Sequence, residues 1–135
     1  MPLIQWSNEL SVEVTKFDMQ HKKLIALIND LHDAMKAGKG NQILKKTLDE
    51  LTQYTETHFA DEEALMKQHN YPGYSIQKIQ HDKFVQELKQ LQQKLNTNST
   101  TVTLEVMNFL KSWLTNHIQK TDKGYSTFFK SKNIG

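Results

Sequence analysis

His58-Phe59-Ala60-Asp61-Glu62 sets an imidazole and a carboxylate four positions apart in a long stretch of helical spacing. Four residues advance roughly 400° around an α-helix, so both side chains leave one face about one turn apart. On a solvated face such a pair is ordinary. Here the residues around it say which face it occupies: Ile43, Leu44, Leu48, Leu51 and Tyr54 step by three and four, His58 follows Tyr54 by four, and Glu62 precedes Met66 by four. Both polar groups therefore lie on the apolar side of the helix, where they form a candidate metal clamp.

Outward from this helix, the spacing predicts three more of the same kind. The helix itself spans 41–69, with Asn41 as its cap and Tyr71-Pro72-Gly73 as its stop. Before it, Asp18 reads as the cap of a helix over 19–37 that carries Leu24, Ile25, Leu27, Ile28 and Leu31 and ends at Gly38-Lys39-Gly40. After it, Ser75 reads as the cap of a helix over 75–95 with Ile76, Ile79, Phe84, Leu88, Leu91 and Leu95, followed by a polar run to Thr101. A fourth covers 102–122, with Val106, Phe109, Leu110, Trp113, Leu114 and Ile118. Gly124 is expected to break it and leave a short tail containing Tyr125, Phe128 and Phe129. Residues 1–17 read as an extended arm whose Trp6, Val12, Val14 and Phe17 cover part of the core. Four amphipathic helices joined by short turns predict an all-α fold, an antiparallel up-down-up-down four-helix bundle forming a single domain over 1–135.

Composition narrows the function. With 17 basic and 15 acidic residues the net charge is +2, too small to indicate a nucleic-acid or membrane surface. The late lysines Lys120, Lys123, Lys130 and Lys132 read as a solvated face. The chain has no cysteine, so any metal must be held by nitrogen and oxygen, and a cytoplasmic location is expected. The N-terminus lacks the pattern of a signal peptide, and the apolar run Leu24–Ile28 is far below the ~20 residues of a membrane span. The Asn98-Ser99-Thr100 glycosylation match is accordingly set aside.

The informative residues are the polar ones that point inward. His21 lies three before Leu24 and seven before Ile28; His81 is three before Phe84; His117 is four after Trp113 and three after Leu114. Each helix thus places one histidine on its core side, with Glu62 among them. Four buried imidazoles and a carboxylate are costly to desolvate unless something binds them, and a metal centre between facing helices relieves that cost. Asp122 follows His117 by five, which on a straight α-helix is about 140° further round. It joins the cluster only through a local π-type widening or at the helix end, and Gly124 points to the second. His32 reads as lying on a polar flank, and His69 as a helix-end residue.

These residues resemble the hemerythrin family, in particular its bacterial single-domain members. The resemblance runs nearly the whole chain: Trp6, Asp18-Met19-Gln20-His21-Lys22, His58 to Glu63, Tyr71-Pro72-Gly73-Tyr74, His81-Asp82, and Trp113 to Ile118 with Asp122. It implies a non-haem di-iron centre, with a bridging oxo or hydroxo group, that binds dioxygen reversibly. His21 and His58 would hold the iron where dioxygen lands, His81 and His117 the other, and Glu62 and Asp122 would bridge them. It further implies a dioxygen pocket of Leu24, Phe59, Trp113, Leu114 and Ile118, which would retain the oxygenated state by excluding water and protons. One position departs from the family: the helix carrying His81 should present histidines four apart, and the position four before His81 is Gln77. Gln77 either coordinates through its amide oxygen or leaves a position to water or an external ligand.

The function expected is dioxygen binding for storage, delivery or sensing by a monomer, with an unidentified delivery or redox partner. Two alternatives are a di-iron peroxidase or oxidase exploiting the altered iron, and a metal-poor helical interaction module.

Overall fold

A computed structural model describes residues 3–38, 41–96 and 104–132. The side chain of Asn41, the polar run after Asn96 and the helix start near Val102 lie outside the described residues. The described chain is all helical: α1 (Thr15–Lys36), α2 (Asn41–Gln68), α3 (Tyr74–Asn96), α4 (Leu104–Asn116), a π-helical segment (His117–Asp122) and α5 (Lys123–Ser131). Helix α1 packs on both α2 and α4, and α2 packs on α3, as in an antiparallel four-helix bundle. Leu24, Ile28 and Leu31 of α1 meet Leu48, Leu51 and Met66 of α2, Phe84 and Leu88 of α3, and Met107, Leu110 and Leu114 of α4 in one core. No described helix is long and apolar enough to cross a membrane.

The N-terminal part differs from expectation in one respect. Helix α1 begins at Thr15, so Phe17 belongs to it and Asp18 is inside its first turn rather than its cap. The Asp18 carboxylate instead accepts from the Val12 amide (2.8 Å) and the Ser11 hydroxyl (2.6 Å), tying down the arm where a helix N-terminus favours negative charge. Further out, the Asn29 amide pairs with both the N–H and the carbonyl of Ile4, each at 2.9 Å. The arm also contains a 3₁₀ turn, Asn8–Leu10, that packs on the π-helical segment.

Helix α2 ends through Asn70, which adopts φ +55° while the Tyr71 amide donates back to the Met66 carbonyl. Asparagine tolerates this left-handed conformation better than most residues. Ser75 does not cap α3: the helix starts at Tyr74, and the Gly73 carbonyl accepts from the Gln77 amide. The buried stripe of α3 is Gln77, His81, Phe84, Leu88 and Leu95, stepping by four, three, four and seven. That phase turns Ile76 and Ile79 to solvent, and Ile43 and Phe109 are exposed as well, against their expected place in the apolar stripes. His32 is likewise corrected: it is buried, because it follows Ile25 by seven and Ile28 by four on the α1 stripe.

The largest difference lies at the C-terminus. Gly124 does not end the helix but sits inside α5, and the expected tail is a helix that buries Tyr125 and Phe129 completely. The glycine leaves room for a neighbour: a Cβ at this position would lie 2.6 Å from the Tyr71 hydroxyl, which would have to move aside. Ile118, Tyr125 and Phe129 are all fully buried, so apolar burial continues from the π-helical segment into α5.

Candidate metal centre

Helix α1 supplies His21, α2 supplies His58 and Glu62, α3 supplies His81, and the π-helical segment supplies His117 and Asp122; all six are buried. They fall into two groups whose ligand atoms lie within 4.8 Å of one another: His21, His58 and Glu62, and His81, His117 and Asp122. Within the first, His58 Nε2 is 3.2 Å from Glu62 Oε1 and His21 Nε2 is 3.4 Å from Glu62 Oε2. Within the second, His117 Nε2 is 3.1 Å from Asp122 Oδ1 and from His81 Nε2. The carboxylates also face across: Glu62 Oε1 is 3.4 Å from His81 Nε2, and Asp122 Oδ2 is 3.3 Å from His21 Nε2. Two sites therefore share two carboxylates.

Asp122 reaches this cluster by π-helical widening, not by the helix end. The Lys123 amide donates to the Ile118 carbonyl, a five-residue step, and residues five apart then return to nearly one face. The His117–Asp122 separation is the direct result.

The outer ring nitrogens fix the tautomers. His58 Nδ1 is 2.6 Å from Gln20 Oε1, His117 Nδ1 is 2.7 Å from Gln80 Oε1, and His81 Nδ1 is 2.8 Å from the Glu63 carboxylate. All three partners accept, so Nδ1 carries the proton and Nε2 presents a bare lone pair to the centre. The amide of Gln20 is itself oriented by donating to Asp61 (2.8 Å), and Gln80 Oε1 also accepts from Thr121 (3.1 Å). Three imidazole lone pairs thus confront carboxylate oxygens and one another. Glu62 Oε1, Asp122 Oδ2 and both nitrogens of His21 have no hydrogen-bond partner. Acceptors buried against acceptors need cations between them, and this donor set of nitrogen and oxygen suits iron.

Charge in the centre follows the same logic. Burial pushes the Glu62 carboxyl up, but whenever His58 and His21 are protonated they outweigh it and hold it well below the usual carboxylate range. For Asp122, burial and the Glu62 charge push upward, and His117 and His21 in their protonated forms prevail to lower it. Burial pushes His21 down, yet the Asp122 and Glu62 carboxylates, 3.3 and 3.4 Å from its Nε2, raise it to about 9. Without a metal, the His21 proton partly does the work of a cation.

The apolar residues expected around dioxygen are buried, save the half-buried Trp113. Phe59 stacks on the His81 ring (3.7 Å between centroids) and Trp113 on the His117 ring (4.5 Å). Gln77 is also at the centre, buried, with Nε2 donating to Asp122 Oδ1 at 2.9 Å. His69 is outside it, edge-on to Phe129. Sequence reasoning missed Tyr125, whose hydroxyl donates to Glu62 Oε2 at 2.5 Å. Burial, together with the charges of Glu62 and Asp122, raises this phenol well above its ordinary value, so it stays a donor. Its signal was the seven-residue step from Ile118.

The Hemerythrin HHE cation binding domain matches residues 12–129. The chain is 36% identical over 126 residues to a bacteriohemerythrin of Methylococcus capsulatus, covering 93% of this chain and 95% of that protein. It is 34% identical over 121 residues to a myohemerythrin of Theromyzon tessulatum, covering 90% and 89%. A crystal structure of wild-type hemerythrin superposes with a TM-score of 0.87 at 35% identity, over 93% of this chain and 96% of that one. With a family match across most of its length and relatives this similar, the chain belongs to the hemerythrin family.

Proposed function

We propose that this chain is a non-haem di-iron protein that binds dioxygen reversibly for storage, delivery or sensing. His21 and His58 would hold the iron that receives dioxygen, His81 and His117 would hold the other, and Glu62 and Asp122 would be shared between them. The observation that carries this reading is the confrontation of His81 Nε2 and His117 Nε2 at 3.1 Å, each with its proton committed to an outer acceptor. Two neutral imidazoles do not turn bare nitrogens on each other in a dry core without a cation to share. When bound, the irons supply the electrons that dioxygen takes up on binding and returns on release.

The protein's own groups make that exchange reversible. Gln20, Glu63 and Gln80 hold three imidazoles in one tautomer, so the ligand nitrogens need no reorganisation. Leu24, Leu114 and Ile118, with Phe59 and Trp113 over the imidazole faces, exclude water from the centre. The chain is proposed to act as a cytoplasmic monomer with a redox or delivery partner.

The test is the visible spectrum of iron-loaded protein cycled between air and argon. A charge-transfer band that appears with dioxygen, bleaches without it and returns is expected. Direct passage to a stable ferric spectrum would instead favour a peroxidase or oxidase. Gln77, buried beside Asp122 where a further imidazole is expected, favours that second reading.

A further inference from the structure

Gln77 stands one helical turn before His81 on the inward face of α3 and is 1% exposed. Its amide has one sensible orientation. Nε2 donates to Asp122 Oδ1 at 2.9 Å, and because a carboxylate only accepts, turning the amide over would set oxygen against oxygen. The other end of the amide, Oε1, is buried without any donor. A carbonyl in that position is destabilising unless something electropositive reaches it. Asp122 Oδ1 also lies 3.1 Å from His117 Nε2, so the amide is joined to the second subsite through a single carboxylate oxygen.

Resting on the di-iron reading above, we propose that Gln77 completes the His81–His117 subsite as an oxygen donor, and that this oxygen-rich subsite admits manganese(II) in competition with iron(II). The N–H bond to Asp122 holds the amide in place beside the subsite, so Gln77 loses little rotamer freedom when Oε1 takes up a metal. The subsite then offers two imidazoles with oxygens from Asp122, Glu62 and Gln77. Manganese binds such sites more weakly than iron, but imidazole widens the gap and carbonyl or carboxylate oxygen narrows it. An oxygen in place of a third imidazole therefore shifts the balance toward manganese at this subsite alone. The His21–His58 subsite does not contain Gln77 and keeps its preference for iron.

The experiment loads metal-free protein anaerobically with equimolar iron(II) and manganese(II) and measures both metals per chain after desalting. Gln77→His and Gln77→Leu are treated in parallel, and helicity is checked by circular dichroism. The natural chain is expected to bind two metals with a manganese-to-iron ratio about threefold above that of Gln77→His. Gln77→Leu, which lacks both the donor oxygen and the N–H clamp, is expected to lose about one metal per chain while remaining helical. Equal metal ratios in the natural chain and Gln77→His would overturn the inference while leaving the di-iron reading intact. So would two tightly held metals in Gln77→Leu. If no variant, Gln77→His included, binds two metals, the di-iron reading itself fails and the inference falls with it.

Discussion

Gln20, Glu63 and Gln80 each stand next to a buried histidine or glutamate in sequence, yet each bonds the histidine of the following helix: α1 supports His58, α2 supports His81 and α3 supports His117. His21 has no such support on its Nδ1. The inward polar residues themselves were legible, because each sits at three, four or seven from an apolar neighbour. The supporting ring was not, since it depends on the relative rotation and height of two helices, which spacing along one helix does not carry. Tyr125 escapes sequence reasoning for another reason: Gly124 reads as a stop, whereas it is the gap beside the Tyr71 hydroxyl. Because Tyr125 donates to a carboxylate that would bridge both metals, Tyr125→Phe is expected to weaken iron retention roughly tenfold with helicity unchanged. Competition with a coloured chelator measures this, and an unchanged dissociation constant would reduce Tyr125 to a packing role.

At the scale of elements, the periods of apolar residues located α1, α2 and α3 to within a few residues, since their stripes are continuous. The π-helical segment was legible only as an alternative. A five-residue spacing demands either a wider turn or a helix end, and the choice turns on whether the chain beyond still packs. It does, because α5 buries Tyr125 and Phe129. The arm braces this segment through its 3₁₀ turn and is itself held by Asp18. Asp18→Ala removes two charge-assisted hydrogen bonds that fasten the arm, and about 2 kcal/mol of stability should go with them. Urea denaturation followed by circular dichroism reads the loss; a change below about 0.5 kcal/mol would show that burial of Ile4, Leu10, Val12 and Val14 alone secures the arm.

For the whole molecule, six ionisable ligand candidates gather in the centre of a 135-residue bundle whose fold is otherwise set by aliphatic packing. The bundle was legible from amphipathic periods and short connections. What the sequence could not show was that the six converge at one level, which follows from the antiparallel stacking of four helices and the widening between His117 and Asp122. In the metal-free protein the centre is held by lowered carboxylates and a raised His21; bound cations would replace that compromise and stabilise the folded state by mass action. The most direct measurement is therefore an anaerobic titration of metal-free protein with iron(II), followed by thermal unfolding. Saturation at two irons per chain with a melting temperature raised by roughly 10 °C is predicted. No uptake, saturation at a single iron, or an unchanged melting temperature would contradict a di-iron centre built by these six residues.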